Sequence, residues 1–262
     1  MTQTALITGA SGGIGLELAR QFAQNNFDLV LVARSRAKLQ QLADELQDKY
    51  QISVAVLVKD LTEPSAPDEI YTELRERDTA VNVLVNNAGF ATYGFFDELD
   101  LQRELAMIQL NVAALTHLTW LFLQDMVAAG NGKILNVSST AAFQPGPLMA
   151  VYYATKAYVL SFSEAIANEL AGKGVTVTAL CPGPTESGFQ SRAEMEDSKL
   201  VQGGLMSATE VAKSGYAGLM AGKTVVIPGT KNRILAMSPR FLPRNMVTNV
   251  VRNTQERTGS HN

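Results

Sequence analysis

A chain of 262 residues, 46% hydrophobic and 18% charged, is long enough to bury one large core and too apolar for intrinsic disorder. Its 22 Lys+Arg against 25 Asp+Glu leave a net charge of -3, so no overall basic field draws it to nucleic acid or to an anionic membrane. One cysteine, Cys181, and two histidines, His117 and His261, exclude an internal disulfide and leave little for a zinc cluster or a Ser-His-Asp hydrolase, so a metal-free protein of a reducing, cytoplasmic compartment is expected.

Taken in chain order, a β-branched run at 5–8 begins folded structure almost at once, which predicts no secretory leader. A periodic segment at 14–24 follows, then apolar runs at 29–33, 54–59 and 81–86 separated by helical patterns at 37–50 and 68–77. A long helix is expected within 101–129. Its most apolar stretch, 112–123, is interrupted by Thr116, His117 and Thr119 and falls short of the ~20 residues that cross a bilayer, so a buried helix is the expectation. Strands at 133–137, 175–181 and 224–228 alternate with helices at 151–171 and 209–221. Ser207-Ala208-Thr209-Glu210 opens the last of these with a capping-box pattern. Short apolar runs alternating with 3.6-periodic segments are the pattern of an α/β fold, a doubly wound sheet of about seven parallel strands with helices on both faces. No linker or repeat divides the chain, so residues 1–262 are expected as one domain. Two stretches break the rhythm: 184–206, a long loop of the kind that often serves as a lid, and the tail at 230–262. The tail is basic and amphipathic, and Pro239 and Pro243 would divide it into two short helical pieces.

Thr8-Gly9-Ala10-Ser11-Gly12-Gly13-Ile14-Gly15 joins the first strand to the first helix. Free backbone N–H groups and the helix dipole at such a turn attract a pyrophosphate, and glycines let it approach. About 20 residues further on, NAD-binding folds place an acid that holds the ribose 2′-hydroxyl. Here the chain has Arg34-Ser35-Arg36, and a guanidinium can pair with a 2′-phosphate. The same residues also read as the start of a solvated helix, and charge alone does not separate the two. Asp60-Leu61 and Asn87-Ala88-Gly89 follow strand ends on the edge that lines the ligand crevice, although either can be plain turn chemistry.

Tyr152 and Lys156 lie four apart at the start of a predicted helix and so project from one face. An ammonium beside a phenol favours the phenolate, and from a free value near ~10 that would make Tyr152 a usable acid/base. Ser139, just past a strand end, can bond a substrate oxygen. The pair alone is weak, since Tyr and Lys at helical spacing occur by chance.

Together the pieces form an ordered set: the TGxxxGxG turn from Thr8 to Gly15, the NNAG from Asn86 to Gly89, Asn111 on a helix, Ser139, the YxxxK of Tyr152 to Lys156, and Pro182-Gly183. With these the chain resembles the compact branch of the short-chain dehydrogenase/reductases from Thr4 to about Gly229. The resemblance implies a Rossmann-like fold and an oxidoreductase that moves a hydride between a nicotinamide and a carbonyl or secondary alcohol. By resemblance Tyr152 is the acid/base, Ser139 polarises the carbonyl, Lys156 binds the nicotinamide ribose, and Asn111 holds a water in a proton relay. The cofactor cradle it implies comprises Gly9, Ser11, Gly12, Gly13, Ile14, Gly15, Arg34, Ser35, Asp60, Leu61, Asn87, Ala88 and Gly89. Tyr152, Lys156, Pro182, Gly183, Thr185 and Ser187 complete it, the last two as hydroxyls for the carboxamide. Family members that prefer NADP often carry a basic residue where Arg34 stands, so NADP (NADPH) is expected over NAD.

The alternative is a non-catalytic NADP-binding sensor or scaffold on the same fold. Phe90, Tyr93, Phe143, Met149, Pro184, Phe189, Met195, Leu200 and Met206 are candidate pocket residues and suit an apolar carbonyl compound. The apolar side of the tail is expected to cap the protein's own core or a partner subunit; a sharper reading places it beside 184–206, where it would help close that pocket with arginines that can receive an anionic group. By resemblance the chain forms a homodimer or homotetramer, with Leu115, Leu118, Leu121 and Phe122 as a possible interface stripe; neither nucleic acid nor a membrane is an expected partner.

Overall fold

The computed structural model describes residues 2–189, 193, 195, 197–199 and 204–257. Six of the seven strands of the main sheet are rich in Val, Leu and Ile: β1 Thr4–Thr8, β2 Asp28–Ala33, β3 Val54–Val58, β4 Val83–Asn86, β5 Gly132–Val137 and β6 Val175–Leu180. Between them lie α1 Gly13–Gln24, α2 Arg36–Tyr50, α3 Ala66–Glu76, α4 Leu101–Ile108, α5 Leu115–Ala128 and α6 Ala150–Glu169. After β6 come β7 Thr185–Glu186, β8 Met206–Ser207, α7 Ala208–Met220, β9 Val225–Val226, α8 Thr230–Met237 and α9 Arg244–Gln255. The main sheet is parallel throughout, in the order β3-β2-β1-β4-β5-β6-β9.

Strands apolar on both sides need cover on both sides, and the helices supply it. Phe22, Leu39, Leu46, Val211 and Leu219 from α1, α2 and α7 bury one face. Ile70, Leu74, Leu118, Phe122 and Met126 from α3 and α5 bury the other. Each fully buried Leu or Phe contributes roughly 1.5–3 kcal/mol. The chain reverses direction across the sheet between β1 and β4, which opens a crevice at their carboxyl ends. A buried polar chain aligns the next strands there. Asn86 Nδ2 donates to Thr119 Oγ1 at 3.0 Å and to Asn136 Oδ1 at 2.9 Å, and Asn136 Nδ2 donates to Ser163 Oγ at 2.9 Å.

The long helix differs from expectation in two ways. A π-helical turn, Gln109–Ala114, separates α4 from α5 within one continuous stretch. That stretch, Leu101–Ala128, is 28 residues and by length and composition alone is long and apolar enough to cross a membrane. Its apolar residues are instead divided between the core and the surface. Leu115, Leu118, Leu121 and Phe122 lie at 8% exposure or less, so the expected interface stripe is buried within the protein, with Leu118 and Phe122 in the core cluster on one face of the sheet. The exposed large apolar residues of these helices are Leu101, Leu105, Ile108, Trp120 and Val127, none of them in that stripe.

The capping residue of α7 is Ser207, whose side chain accepts from Thr209 N at 3.2 Å. Three elements escape the sequence pattern. β7 and β8 pair as a two-stranded parallel sheet and close the ends of the 184–206 segment. In the tail, Pro239 falls in a 3₁₀ turn, Ser238–Phe241, and Pro243 caps α9.

Candidate active site

The glycine turn owes its shape to two close approaches. Gly9 has φ +67°, and a Cβ there would lie 2.8 Å from Asn87 Nδ2 and 2.9 Å from Ala88 Cα. Gly13 has φ +56° and would meet Ser187 Cβ at 2.7 Å. An L side chain is strained at such φ. Gly9 N is already bonded to Val32 O at 2.8 Å, so Gly9 turns the chain. No side chain caps α1 at Gly12, and the space beside Gly12 is open to 4 Å. Gly15 behaves differently from its expected place in the cradle. It is buried off the cavity wall, where a Cβ would lie 2.4 Å from Gly9 O. It lets helix and turn pack; it does not face a ligand. Thr8 and Asn87 hold the turn to β4: Thr8 Oγ1 accepts from Asn87 N and Ala88 N at 2.9 and 3.0 Å, and Asn87 Nδ2 donates to Thr8 O at 2.9 Å.

At the end of β2, Arg34 is 74% exposed and lies 3.6 Å from Asp60 Oδ2. Burial pulls the Asp60 carboxyl up, but bonds from Thr62 and the Arg34 charge outweigh it and hold it below the usual range. Arg34, Ser35, Lys38, Asp60 and Leu61 line one end of the cavity. Lys38 there was not singled out in the sequence, where it is one more lysine on a solvated helix.

At the other end, Tyr152 is the third residue of α6, beside Ser139 at the end of the loop after β5. Burial pushes the Tyr152 phenol up to about 12, and a bond with Ser139 opposes this. This corrects the expectation that Lys156 lowers the phenol. The lysine donates to Val137 O at 2.8 Å and stands 5.7 Å from the Tyr152 ring centroid. Burial lowers Lys156 itself to about 8. Ser139 Oγ accepts from Ala141 N at 3.1 Å and reaches Pro182 O at 3.4 Å, a long bond that leaves its proton easy to redirect. Asn111 lies within the π-turn and off the cavity wall. Its amide donates to Phe90 O at 3.0 Å and Thr155 Oγ1 at 3.1 Å and accepts from Phe90 N at 3.2 Å. Gly89 sits between Asn111 and the lysine, with Asn111 Oδ1 3.0 Å and Lys156 Nζ 3.7 Å from where its Cβ would be.

Every expected catalytic and cofactor residue except Gly15 and Asn111 borders one cavity of about 760 Å³. Of the expected pocket residues, Phe90, Met149, Pro184, Phe189 and Met195 line it. Phe143 packs with Leu160, Ala179 and Cys181 instead. Tyr93 donates to Gln255 O at 2.5 Å, and Met206 packs against the main core. Leu200 and His261 lie outside the described residues.

The tail contributes more lining than its composition indicates. Asn232, Leu235, Ala236, Leu242, Val247, Val250, Val251, Thr254 and Gln255 all border the cavity. Asn232 presses on Gly183, where a Cβ would lie 2.6 Å from its amide. The expected role for the tail arginines is not what the helices provide. Lys231, Arg233, Arg240, Arg244, Arg252 and Arg257 are absent from the described lining. Arg252 lies over Phe95 at 4.7 Å and Arg257 over Tyr93 at 5.4 Å. Amphipathic helices turn their apolar side to the chamber, which sends the cations outward.

The sheet order and the glycine turn at its switch point define a dinucleotide-binding α/β fold. Residues 3–198 match the short chain dehydrogenase family, and the chain belongs to the short-chain dehydrogenase/reductases. It is 35% identical over 184 residues to the very-long-chain 3-oxoacyl-CoA reductase of Anas platyrhynchos, covering 68% of this chain and 58% of that protein. It is 35% identical over 182 residues to the inactive hydroxysteroid dehydrogenase-like protein 1 of Homo sapiens, covering 68% and 54%. The chain thus spans little more than half the length of these curated relatives. Among solved structures, a short-chain dehydrogenase from Sphingobium yanoikuyae in complex with NADPH is similar at 35% identity and TM-score 0.82, with 91% of each chain covered.

Proposed function

We propose that this protein is an NADP-dependent oxidoreductase that reduces a ketone or aldehyde with an apolar body, and runs in reverse on the secondary alcohol. The observation that carries this reading is the partly buried Tyr152–Ser139 hydroxyl pair, both residues of which border the same cavity as the glycine turn. The residues present fit a nicotinamide dinucleotide. The uncapped start of α1 and the open space at Gly12 suit a pyrophosphate, with Ser11, Gly13 and Ile14 around it. Asn87, Ala88, Gly89, Pro182, Gly183, Thr185 and Ser187 would border the rest of the cofactor. When bound, the nicotinamide supplies or accepts the hydride.

The protein's own groups handle the oxygen and its proton. A phenol held near 12 keeps its proton at neutral pH, the state a donor to a carbonyl oxygen needs. Ser139 can turn its hydroxyl from Pro182 O, a long bond at 3.4 Å, to the same oxygen. Proton transfer leaves a phenolate beside the Ser139 hydroxyl, whose hydrogen bond is the contact that opposes the upward pull of burial. The three bonds that Asn111 makes are spent within the chain. A relay water would therefore be held by a main-chain group that the π-turn takes out of the α-helical ladder.

Two expected outcomes test the cofactor assignment. Lys156 is a cation below about 8 and neutral above it. If it bonds the cofactor, NADPH affinity measured by calorimetry should fall as pH rises through that value, and Lys156→Met should flatten the dependence. At the other end, Arg34→Asp should lower NADPH affinity about ten- to hundredfold, the roughly 1.5–3 kcal/mol of one charge-assisted contact. It should also raise relative use of NADH. Wild-type protein that binds NADH more tightly than NADPH removes Arg34 from the site.

The reaction itself is tested with a panel of ketones and aldehydes followed by NADPH absorbance. The similarity to an inactive relative favours a second reading, an NADP-binding protein without turnover. The intact Ser139, Tyr152 and Lys156 set stands against it. NADPH binding with no turnover across the panel would decide for the second reading.

A further inference from the structure

On α9, positions 247, 251 and 255 form one buried stripe at helical spacing. Val247 and Val251 join Met149, Tyr153 and Met195 in the apolar cluster beside Tyr152 and Phe189. The third position departs from this chemistry. Gln255 is 0% exposed, and neither its Nε2 nor its Oε1 has a hydrogen-bond partner among the described residues. It nonetheless borders the cavity. Its backbone carbonyl is already taken by the Tyr93 hydroxyl, which fixes this end of the helix. An unbonded amide taken from water is costly, while a Leu or Met would simply extend the stripe. Packing therefore does not account for a glutamine here; its amide is closed off as it stands, and a side-chain turn toward the cavity that Gln255 borders would bring it a partner from what enters.

We propose that Gln255 is a substrate-recognition residue, bonding an uncharged hydroxyl or amide that the substrate carries across the apolar chamber from its reacting carbonyl. The inference rests on the carbonyl-reductase reading for the word substrate. The neutral class follows from the surroundings. An amide offers one acceptor and two donors, so a hydroxyl or amide satisfies both its ends, whereas a carboxylate would face Oε1 with like polarity. The nearby cations that would receive an acid, Arg252 and Arg257, lie over Phe95 and Tyr93.

The test uses pairs of ketones of increasing chain length, identical except for a terminal hydroxyl or a terminal methyl. With NADPH, wild-type kcat/KM should favour the hydroxyl member of the best pair by tenfold or more. Gln255→Met, close in length and shape, should erase or invert that preference and leave the thermal midpoint unchanged or raised. Gln255→Leu serves as a second apolar variant. Calorimetry of the matching diols and simple alcohols with NADP-loaded protein reads the same preference without turnover. Equal losses on both members of every pair, with a lowered midpoint, would show a structural residue and overturn the proposal. So would a wild type that shows no hydroxyl preference by rate or by binding. If no ketone is reduced but the binding preference exists and vanishes in Gln255→Met, the recognition role stands and the reaction assignment falls.

Discussion

Tyr152→Phe should cut turnover of every carbonyl substrate by roughly 10²–10⁴-fold, the range that a positioned acid/base contributes. NADPH affinity should change by no more than about threefold, because a phenylalanine keeps the ring contacts that surround the site. The Tyr152 ring centroid lies 5.3 Å from that of Phe189 and 6.1 Å from that of Tyr153. The lost hydroxyl takes with it only the Ser139 bond, and Ser139 retains its contacts to Ala141 N and Pro182 O. Stopped turnover with preserved binding is thus the signature of the assignment. Retained turnover in this variant would falsify it. Tyr153, also buried, provides a contrast: its ring fills the space over Gly146, where a Cβ would lie 2.2 Å from Tyr153 Cγ. Tyr153→Phe should therefore leave rate nearly intact.

The second large effect is expected from the tail. Ending the chain after Gly229 removes α8 and α9, and with them Val247 and Val251 from the cluster that covers Met149 and Tyr153. The chamber then opens to water on the side away from the glycine turn. Loss of positioning at this level should lower kcat/KM for carbonyl reduction about 10²-fold, while the pyrophosphate end, built from α1 and the β1 turn, is untouched. Asn232 of the tail presses on Gly183 at the nicotinamide end, so a modest loss of NADPH affinity is also expected. Val251→Asp tests the same idea in a full-length chain, by placing a charge at a position only 6% exposed. Circular dichroism establishes that each variant folds, and unchanged kinetics in a folded truncation would remove the tail from the active site.

How much of this was legible in advance follows from how local each determinant is. The strands at 5–8 and 29–33 were visible because each is a contiguous apolar run, and both lie within β1 and β2. The Thr8 to Gly15 turn and the Tyr152–Lys156 spacing were equally readable, since a turn's φ requirement and a helix's period are properties of adjacent residues. Single strand segments as short as β9, two residues in the structure, were overestimated because apolar runs do not mark where pairing stops. What the sequence by itself determined is the α/β class, the family and the identity of the candidate groups. Only the tertiary structure decided what covers each apolar face and what surrounds each polar group. Leu115, Leu118, Leu121 and Phe122 are apolar by composition, yet their burial is set by the fold, which gathers Leu118 and Phe122 into one cluster with the strand residues Leu84 and Ile134. Gly15 faces Gly9 and Asn87 because a helix and a strand pack there. The Tyr152 phenol rises because distant segments exclude water from it, an effect larger than the charge four residues away. α8 and α9 reach the chamber from segments that begin 61 and 75 residues after the end of α6 at Glu169. Periodicity records that a face is apolar; desolvation depends on residues far along the chain, and those meet only when the chain folds.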